Sequence, residues 1–235
     1  MASELIYRLS CRAAGRGAAG VARMFERAAG PHAAALGVGI EDLRARGQAW
    51  MLVQLGMAVR RWPEPGEAVE VATWPSRRTA GARAWREYEM ISGAGEKLIE
   101  AASVWLIADL TSRKPVRLPR FLHTLEFPPR DTRVTFASAP QPPATPPRVA
   151  ARIVSPEDLD INNHANNAAY LAWAEAEEAV EPPCFMQADF LDEALPGEEI
   201  RVQTWKLGEG SVLQQIAGPR GVCASLQWRR ENRGE

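Results

Sequence analysis

The chain has 235 residues, 46% of them hydrophobic and 24% charged, with a net charge of −1. That length allows one large domain or two small ones, and the composition is that of an ordinary soluble globular protein. The charge balance excludes a global field that would recruit nucleic acid or an acidic membrane.

The three cysteines, Cys11, Cys184 and Cys223, are scattered and show no metal-ligand spacing. Reduced, mostly buried thiols are expected, with no disulfide framework, no metal and no cofactor. The start, M-A-S-E-L-I-Y, lacks a basic segment followed by an apolar one, and no apolar run reaches the length of a membrane span. The default expectation is a cytoplasmic protein.

In chain order, Glu4 to Ala13 reads as a strand and Ala13 to Gly20 as a Gly/Ala-rich turn. Val21, Met24, Phe25 and Ala28 fall at helical spacing, and Gly30-Pro31 is expected to end that helix. A short helical piece within His32 to Arg46 follows, with His32 on the surface. From Ala49 the pattern turns to strands: Trp50 to Val59, Val69 to Trp74, Arg83 to Ile91 and Lys97 to Leu110, the last two joined by a Ser-Gly-Ala-Gly turn. Residues Arg120 to Arg148 hold seven prolines, at 128, 129, 140, 142, 143, 146 and 147, and no sustained periodicity. Because proline removes donors and fixes φ, this segment reads as an extended linker. His123, within it, is expected to be structural or to face solvent.

After the linker the first pattern returns. Val149 to Val154 is a strand, Asn166 to Ala179 a helix, and four strands follow: Phe185 to Phe190, Ile200 to Trp205, Ser211 to Ile216 and Val222 to Trp228. The match extends to sequence: P-G-E-A-V-E-V-A-T-W at Pro65 to Trp74 answers P-G-E-E-I-R-V-Q-T-W at Pro196 to Trp205. This is an internal duplication. A helix followed by antiparallel strands, twice, gives an α+β layered architecture.

One stretch stands apart, Asp158 to Tyr170, D-L-D-I-N-N-H-A-N-N-A-A-Y. It sets a carboxylate (Asp160), an amide (Asn162) and an imidazole (His164) at a helix N-terminus, where free amides favour negative charge. Such residues could simply cap the helix. The duplication serves as a control. Laying Tyr170-Leu171 on Arg23-Met24 puts Asp160, Asn162 and His164 on Ala13, Gly15 and Gly17, which can do no proton chemistry. Were the polar residues needed only to start a helix, the first half would want them too. Glu193, before the second P-G-E turn, likewise answers Trp62 before the first.

These stretches together resemble the plant-type and bacterial acyl-acyl-carrier-protein thioesterases of tandem hotdog fold. The resemblance rests on W-M-L-V-Q-L-G-M-A-V at Trp50 to Val59, Pro65 to Trp74, A-S-V-W-L at Ala102 to Leu106, T-S-R-K-P-V-R-L-P at Thr111 to Pro119, and L-D-I-N-N-H-A-N-N-A-A-Y-L-A-W at Leu159 to Trp173. It implies a double hotdog, each unit a long helix wrapped by an antiparallel sheet. Residues 1–119 would form an N-terminal hotdog for acyl-chain specificity, 120–148 the linker, and 149–235 the catalytic hotdog. The family's catalytic Asp, Asn, His and Glu fall on Asp160, Asn162, His164 and Glu193. A cysteine follows that Glu in plant members; here it is Ala194, which leaves water as the attacking group.

The implied reaction is hydrolysis of a fatty acyl thioester on acyl carrier protein. Amides at the start of the Asn166 helix would polarise the carbonyl, and Glu193 or His164 would take the proton from water. Asn162 would position water or substrate, and Asp160 would orient His164 or share its proton. An acyl-CoA thioesterase of the same fold and a non-catalytic acyl-binding protein are the alternatives. A double-hotdog hydratase carries D-x-N-P-x-H, which this chain does not match. The acidic carrier implies a basic docking face, with Arg77, Arg78, Arg83 and Arg86, or Arg229, Arg230 and Arg233, as candidates. One chain would make one pseudo-dimer, a homodimer of chains being left open, and Gly56 and Ala58 would admit the acyl chain into the first-half layer.

Overall fold

The computed structural model describes residues 5–125 and 127–231. Its strands are β1 (Tyr7–Arg12), β2 (Gln48–Val59), β3 (Ala68–Pro75), β4 (Ala84–Ser92), β5 (Lys97–Asp109), β6 (Pro115–Val116), β7 (Arg148–Ile153), β8 (Cys184–Phe190), β9 (Glu199–Gly208), β10 (Ser211–Gly218) and β11 (Gly221–Arg230). Its α-helices are α1 (Ala18–Ala35), α2 (Ile40–Arg44) and α3 (Asn167–Glu177). All strands join one antiparallel sheet in the order β1-β3-β4-β5-β2-β8-β11-β10-β9-β7, with β6 appended to β5. From the central β2–β8 pair outward, the two arms run 5-4-3-1 and 11-10-9-7. The order is therefore palindromic, each strand of one arm answering one of the other.

Strand alternation assigns each face. On β2, Leu55, Met57 and Val59 join the apolar core shared by α1, α3 and the inner face of the sheet. Gly56 and Ala58 must then point the other way. A Cβ on Gly56 would meet Val134 Cγ1 at 2.8 Å and Phe136 Cε1 at 3.1 Å, both in the linker. The expectation that Gly56 and Ala58 open an acyl tunnel is thus corrected: they face the linker, and small size there lets it lie close.

The linker is seated on the outer face of the sheet. A proline-rich segment cannot pair its carbonyls within itself, so side chains of the sheet supply donors. Trp74 Nε1 donates to Arg130 O at 3.0 Å, Gln187 Nε2 to Ala137 O at 2.8 Å and Trp205 Nε1 to Thr145 O at 2.9 Å. Thr132 Oγ1 donates to the buried Glu87 at 2.6 Å. Two of the eight tryptophans therefore hold the linker as well as filling space.

α1 buries Val21, Met24, Phe25, Ala28 and His32, one stripe at helical spacing. It does not end at Gly30-Pro31 but runs on to Ala35 with Pro31 inside. Proline lacks the amide that would bond back one turn, yet Arg27, Gly30 and Pro31 are exposed, so water can take the freed carbonyl. Tertiary packing holds the last turn. His32, expected on the surface, is 2% exposed and stacks on Tyr7 with ring centroids 5.9 Å apart. His123 ends a short 3-10 turn (Arg120–His123) and is exposed.

Candidate active site

The turn before α3 is built by its own polar residues. Asp160 Oδ1 accepts the amides of Asn162 at 2.8 Å and His164 at 3.2 Å, and Asn162 Nδ2 donates to Asp160 Oδ2 at 3.2 Å. Asp160 N donates to His164 O at 2.8 Å, and Asn163 takes φ +62°, a conformation that asparagine tolerates. The Asp160 carboxylate is thus spent on the backbone of the turn. It orients His164 through the main chain and not through the imidazole.

The α3 N-terminus is capped as its sequence indicates. Asn166 Oδ1 accepts the amide of Ala168 at 2.8 Å, and Asn166 O that of Ala169 at 2.8 Å. The amide of Asn167 is left without a protein acceptor among the described residues. It is the main-chain donor available there to a developing oxyanion.

Glu193 follows β8, and the fold returns it to this turn. Its Oε1 lies 3.3 Å from His164 Nδ1, the two side chains being 32% and 27% exposed. Beneath the pair, Ala165 N donates to Ala194 O at 2.9 Å, and the buried Tyr170 hydroxyl accepts the amide of Ala194 at 2.7 Å. Burial pushes the Tyr170 hydroxyl upward, so it stays a neutral donor and acceptor. The structure therefore brings Glu193 to His164 and Asn162 to Asp160, as two adjoining pairs.

A fifth residue, not singled out by sequence, completes the cluster. Arg113, in the turn between β5 and β6, has φ +56° and ion-pairs with Glu193 Oε2. It comes from the first half and lies within the motif Thr111 to Pro119, but nothing in its spacing pointed to a residue 80 positions away. Glu193 is held from both sides, by a cation of one arm and the imidazole of the other.

A cavity of about 360 Å³ adjoins the turn. Asp160, Ile161, Asn162, Asn166, Asn167 and Ala168 border it, and the rest of the lining comes from residues 22–122, including Phe25, Trp50, Leu52, Leu55, Tyr88 and Trp105. His164 and Glu193 are not on that lining. Ile40, Leu110 and Ile161, 53%, 50% and 68% exposed, add apolar surface to it.

The thiols are remote in chemistry. Burial pushes Cys184 up to about 12 and raises Cys223 as well, so neither is a thiolate at neutral pH. Among the described residues no cluster of His, Cys, Asp and Glu could hold a metal ion. No helix among them is long and apolar enough to cross a membrane. The arginine clusters divide: Arg78 is bound to the buried Glu87 and stacks on Trp85 at 4.4 Å, Arg77 pairs with Asp131, and Arg86 lines the cavity. The group Arg77, Arg78, Arg83 and Arg86 is therefore no continuous docking face. Arg229 lies over Phe185 at 4.3 Å and Arg230 is exposed, while Arg233 is outside the described residues.

Two helices on one face of a palindromic antiparallel sheet, with a polar turn at one helix N-terminus, define a hotdog-type α+β fold. An acyl-ACP thioesterase of Bacteroides thetaiotaomicron has this fold with a TM-score of 0.85 and 20% identity, covering 97% of this chain and 99% of that one. A 12:0-ACP thioesterase of Umbellularia californica superposes with a TM-score of 0.80 and 19% identity, over 96% and 97% of the two chains. By sequence, residues 18–123 match the family model of the acyl-ACP thioesterase N-terminal domain. A chloroplastic acyl-[acyl-carrier-protein] hydrolase of Cuphea viscosissima is 30% identical over 147 residues, 56% of this chain and 34% of its own length. A chloroplastic palmitoyl-acyl carrier protein thioesterase of Cuphea hookeriana is 28% identical over 145 residues, again 56% and 34%. The matched part spans about a third of the length of these curated relatives. The resemblance to acyl-ACP thioesterases carried by the motifs is thereby shown.

Proposed function

We propose that the chain hydrolyses the thioester of a fatty acyl-acyl carrier protein, releasing free fatty acid. The observation that carries this reading is the meeting of His164 and Glu193 at 3.3 Å, beside a largely apolar cavity bordered by Asp160, Asn162 and Asn167. The relatives' activities and the acyl-ACP thioesterase family match support the same reaction class.

In this mechanism the acyl chain lies in the cavity with its carbonyl at the α3 N-terminus. Glu193 or His164 takes a proton from water as its oxygen bonds to the carbonyl carbon. The carbonyl oxygen becomes an oxyanion facing the Asn167 amide. The intermediate collapses with cleavage of the C–S bond, and the departing sulfur takes up a proton. Base assistance of this kind contributes about 10²–10⁴-fold. Asn162 is close enough to the cavity to position water or the carbonyl. Ala194, where a thiol would be needed for a covalent route, leaves water as nucleophile.

The division of labour belongs to the same proposal. Residues 1–119 supply most of the acyl cavity, 149–235 the reacting groups, and 120–148, apart from Leu122 on the cavity lining, bind the two arms from outside. One chain then acts as a pseudo-dimer with one site. Thiol release from acyl carrier protein and from coenzyme A thioesters of one acyl chain, measured side by side, tests the reading. Faster release from the carrier protein is expected. Release from the coenzyme A thioester alone would favour the acyl-CoA alternative, and release from neither would favour an acyl-binding protein.

A further inference from the structure

The first-half cavity contains a cation that its fold does not need. On β4, Trp85 and Glu87 face the linker, so Arg86 and Tyr88 face α1. Arg86 Nη1 lies 3.1 Å from His32 Nδ1 and 3.2 Å from Thr73 Oγ1. No carboxylate among the described residues forms an ion pair with it, and burial lowers the proton affinity of its guanidinium. Of the other charged residues on the lining, Glu26 is exposed, Arg44 pairs with Glu41, and Asp160 is bound to its own turn.

The palindromic sheet provides an internal comparison. Thr73 pairs with Tyr88 and Pro75 with Arg86; in the other arm Thr204 pairs with Gln214 and Lys206 with Val212. Thr73 and Thr204 hold the same place in the two P-G-E repeats, so Val212 answers Arg86. Val212 is 4% exposed and sits in the apolar core. The layer is therefore complete with an aliphatic residue at this position. A guanidinium carries a large desolvation cost unless an anion or several acceptors meet it. Further polar groups share the lining: Thr79, Gln48 and Ser103, whose hydroxyl accepts from Trp105 Nε1 at 2.7 Å.

We infer that the cavity selects an acyl chain bearing a carboxylate remote from the thioester, with Arg86 as its partner. A guanidinium meets a carboxylate through two parallel hydrogen bonds, and inside an apolar wall that contact outweighs the loss of a methyl group's packing. This inference rests on the reading of the cavity as an acyl site.

The test compares octanoyl and its ω-carboxylated counterpart, suberoyl, as thioesters of acyl carrier protein. Wild type is expected to favour suberoyl by at least about tenfold in kcat/KM. Arg86→Met, which gives this position an aliphatic character like that of Val212, should reverse the preference. Independently of turnover, free suberate should raise the unfolding midpoint of wild type more than octanoate does. If neither thioester is cleaved while suberate still stabilises selectively, the thioesterase reading fails and the carboxylate site stands. If wild type prefers octanoyl and suberate gives no greater stabilisation, the inference is overturned. Should Arg86→Met not fold, the wild-type ratio and the midpoint shifts decide alone.

Discussion

The carboxylate of Glu175, in α3, accepts the first free amide of α1, that of Ala18, and with its second oxygen the amide of Ala19 at 3.1 Å. The N-terminus of α1 begins at Gly17, which has no side chain to cap with. A Cβ there would come within 2.6 Å of Glu175 Oε1, so the absence of a side chain is what admits the carboxylate. One helix thus closes the end of the other.

Glu175→Ala should leave both amides without their acceptor and cost about 1–3 kcal/mol. Burial raises the Glu175 carboxyl above the ordinary range, the hydrogen bonds from Ala18 and Ala19 offsetting this only in part. The folded state therefore holds this proton more tightly than the unfolded state. Its contribution is greatest at acid pH and declines as pH rises from the ordinary glutamate value through the raised one. The midpoint difference between wild type and Glu175→Gln, followed from about pH 4 to about pH 7, should shift against wild type as pH rises. A pH-independent difference would contradict this.

Glu193→Gln and His164→Ala should keep the thermal midpoint near wild type and lose most of kcat, because both side chains are partly exposed and neither fills the core. The losses should be far from additive in the double variant if the two act as one unit. Normal kcat in both single variants would remove them from the site.

Under the proposed mechanism Arg113→Met should lower kcat by about tenfold or more with KM little changed, since Arg113 holds the Glu193 carboxylate and is not on the cavity lining. Arg113→Lys should restore part of that loss. If the methionine variant equals wild type, Glu193 is placed by the second half alone.

A variant with Cys11→Ser, Cys184→Ala and Cys223→Ala should stay active where it folds. Mass spectrometry after rapid quenching should find no acyl group on any cysteine of the wild type. An acylated Cys223, whose sulfur lies 3.8 Å from Glu193 O, would restore a covalent route.

Filling the cavity from α1 should shorten the preferred acyl chain. Ala33→Leu adds bulk directly to the lining, and each methylene of the substrate is worth about 1–3 kcal/mol there. Gly56→Leu should instead clash with Val134, lower stability and leave the ratio of kcat/KM between chain lengths flat. The opposite pattern would place the acyl chain under the linker.

The sequence carried the strands, the cap at Asn166 and the polar turn because these depend on local periodicity and local hydrogen bonding. The paired P-G-E repeats let one half serve as a control for the other, and Asp160, Asn162, His164 and Glu193 stood out against it. What it did not carry depends on which face a residue takes or on contact between distant segments. Gly56 reads as a small residue in an apolar strand, and only the sheet's two-sided packing decides that it meets Val134. Pro31 reads as a stop, and only the burial of His32 keeps the helix going. Arg86 reads as part of a basic docking face and Arg113 as one residue of the Thr111 to Pro119 motif, since no local pattern marks an arginine whose contacts lie far along the chain.

The central β2–β8 pair ties the cavity and the proposed reacting pair to one seam. Gln54 donates across it to Asp189 at 2.7 Å. Leu52 and Leu55 of the same β2 segment line the cavity, and β8 runs on to Glu193. In the proposed mechanism the chain-length ruler and the Glu193 carboxylate therefore hang from adjacent strands, and a slip of one against the other would displace both. Changes in this seam should move selectivity and turnover together, whereas changes in α1 should alter selectivity alone.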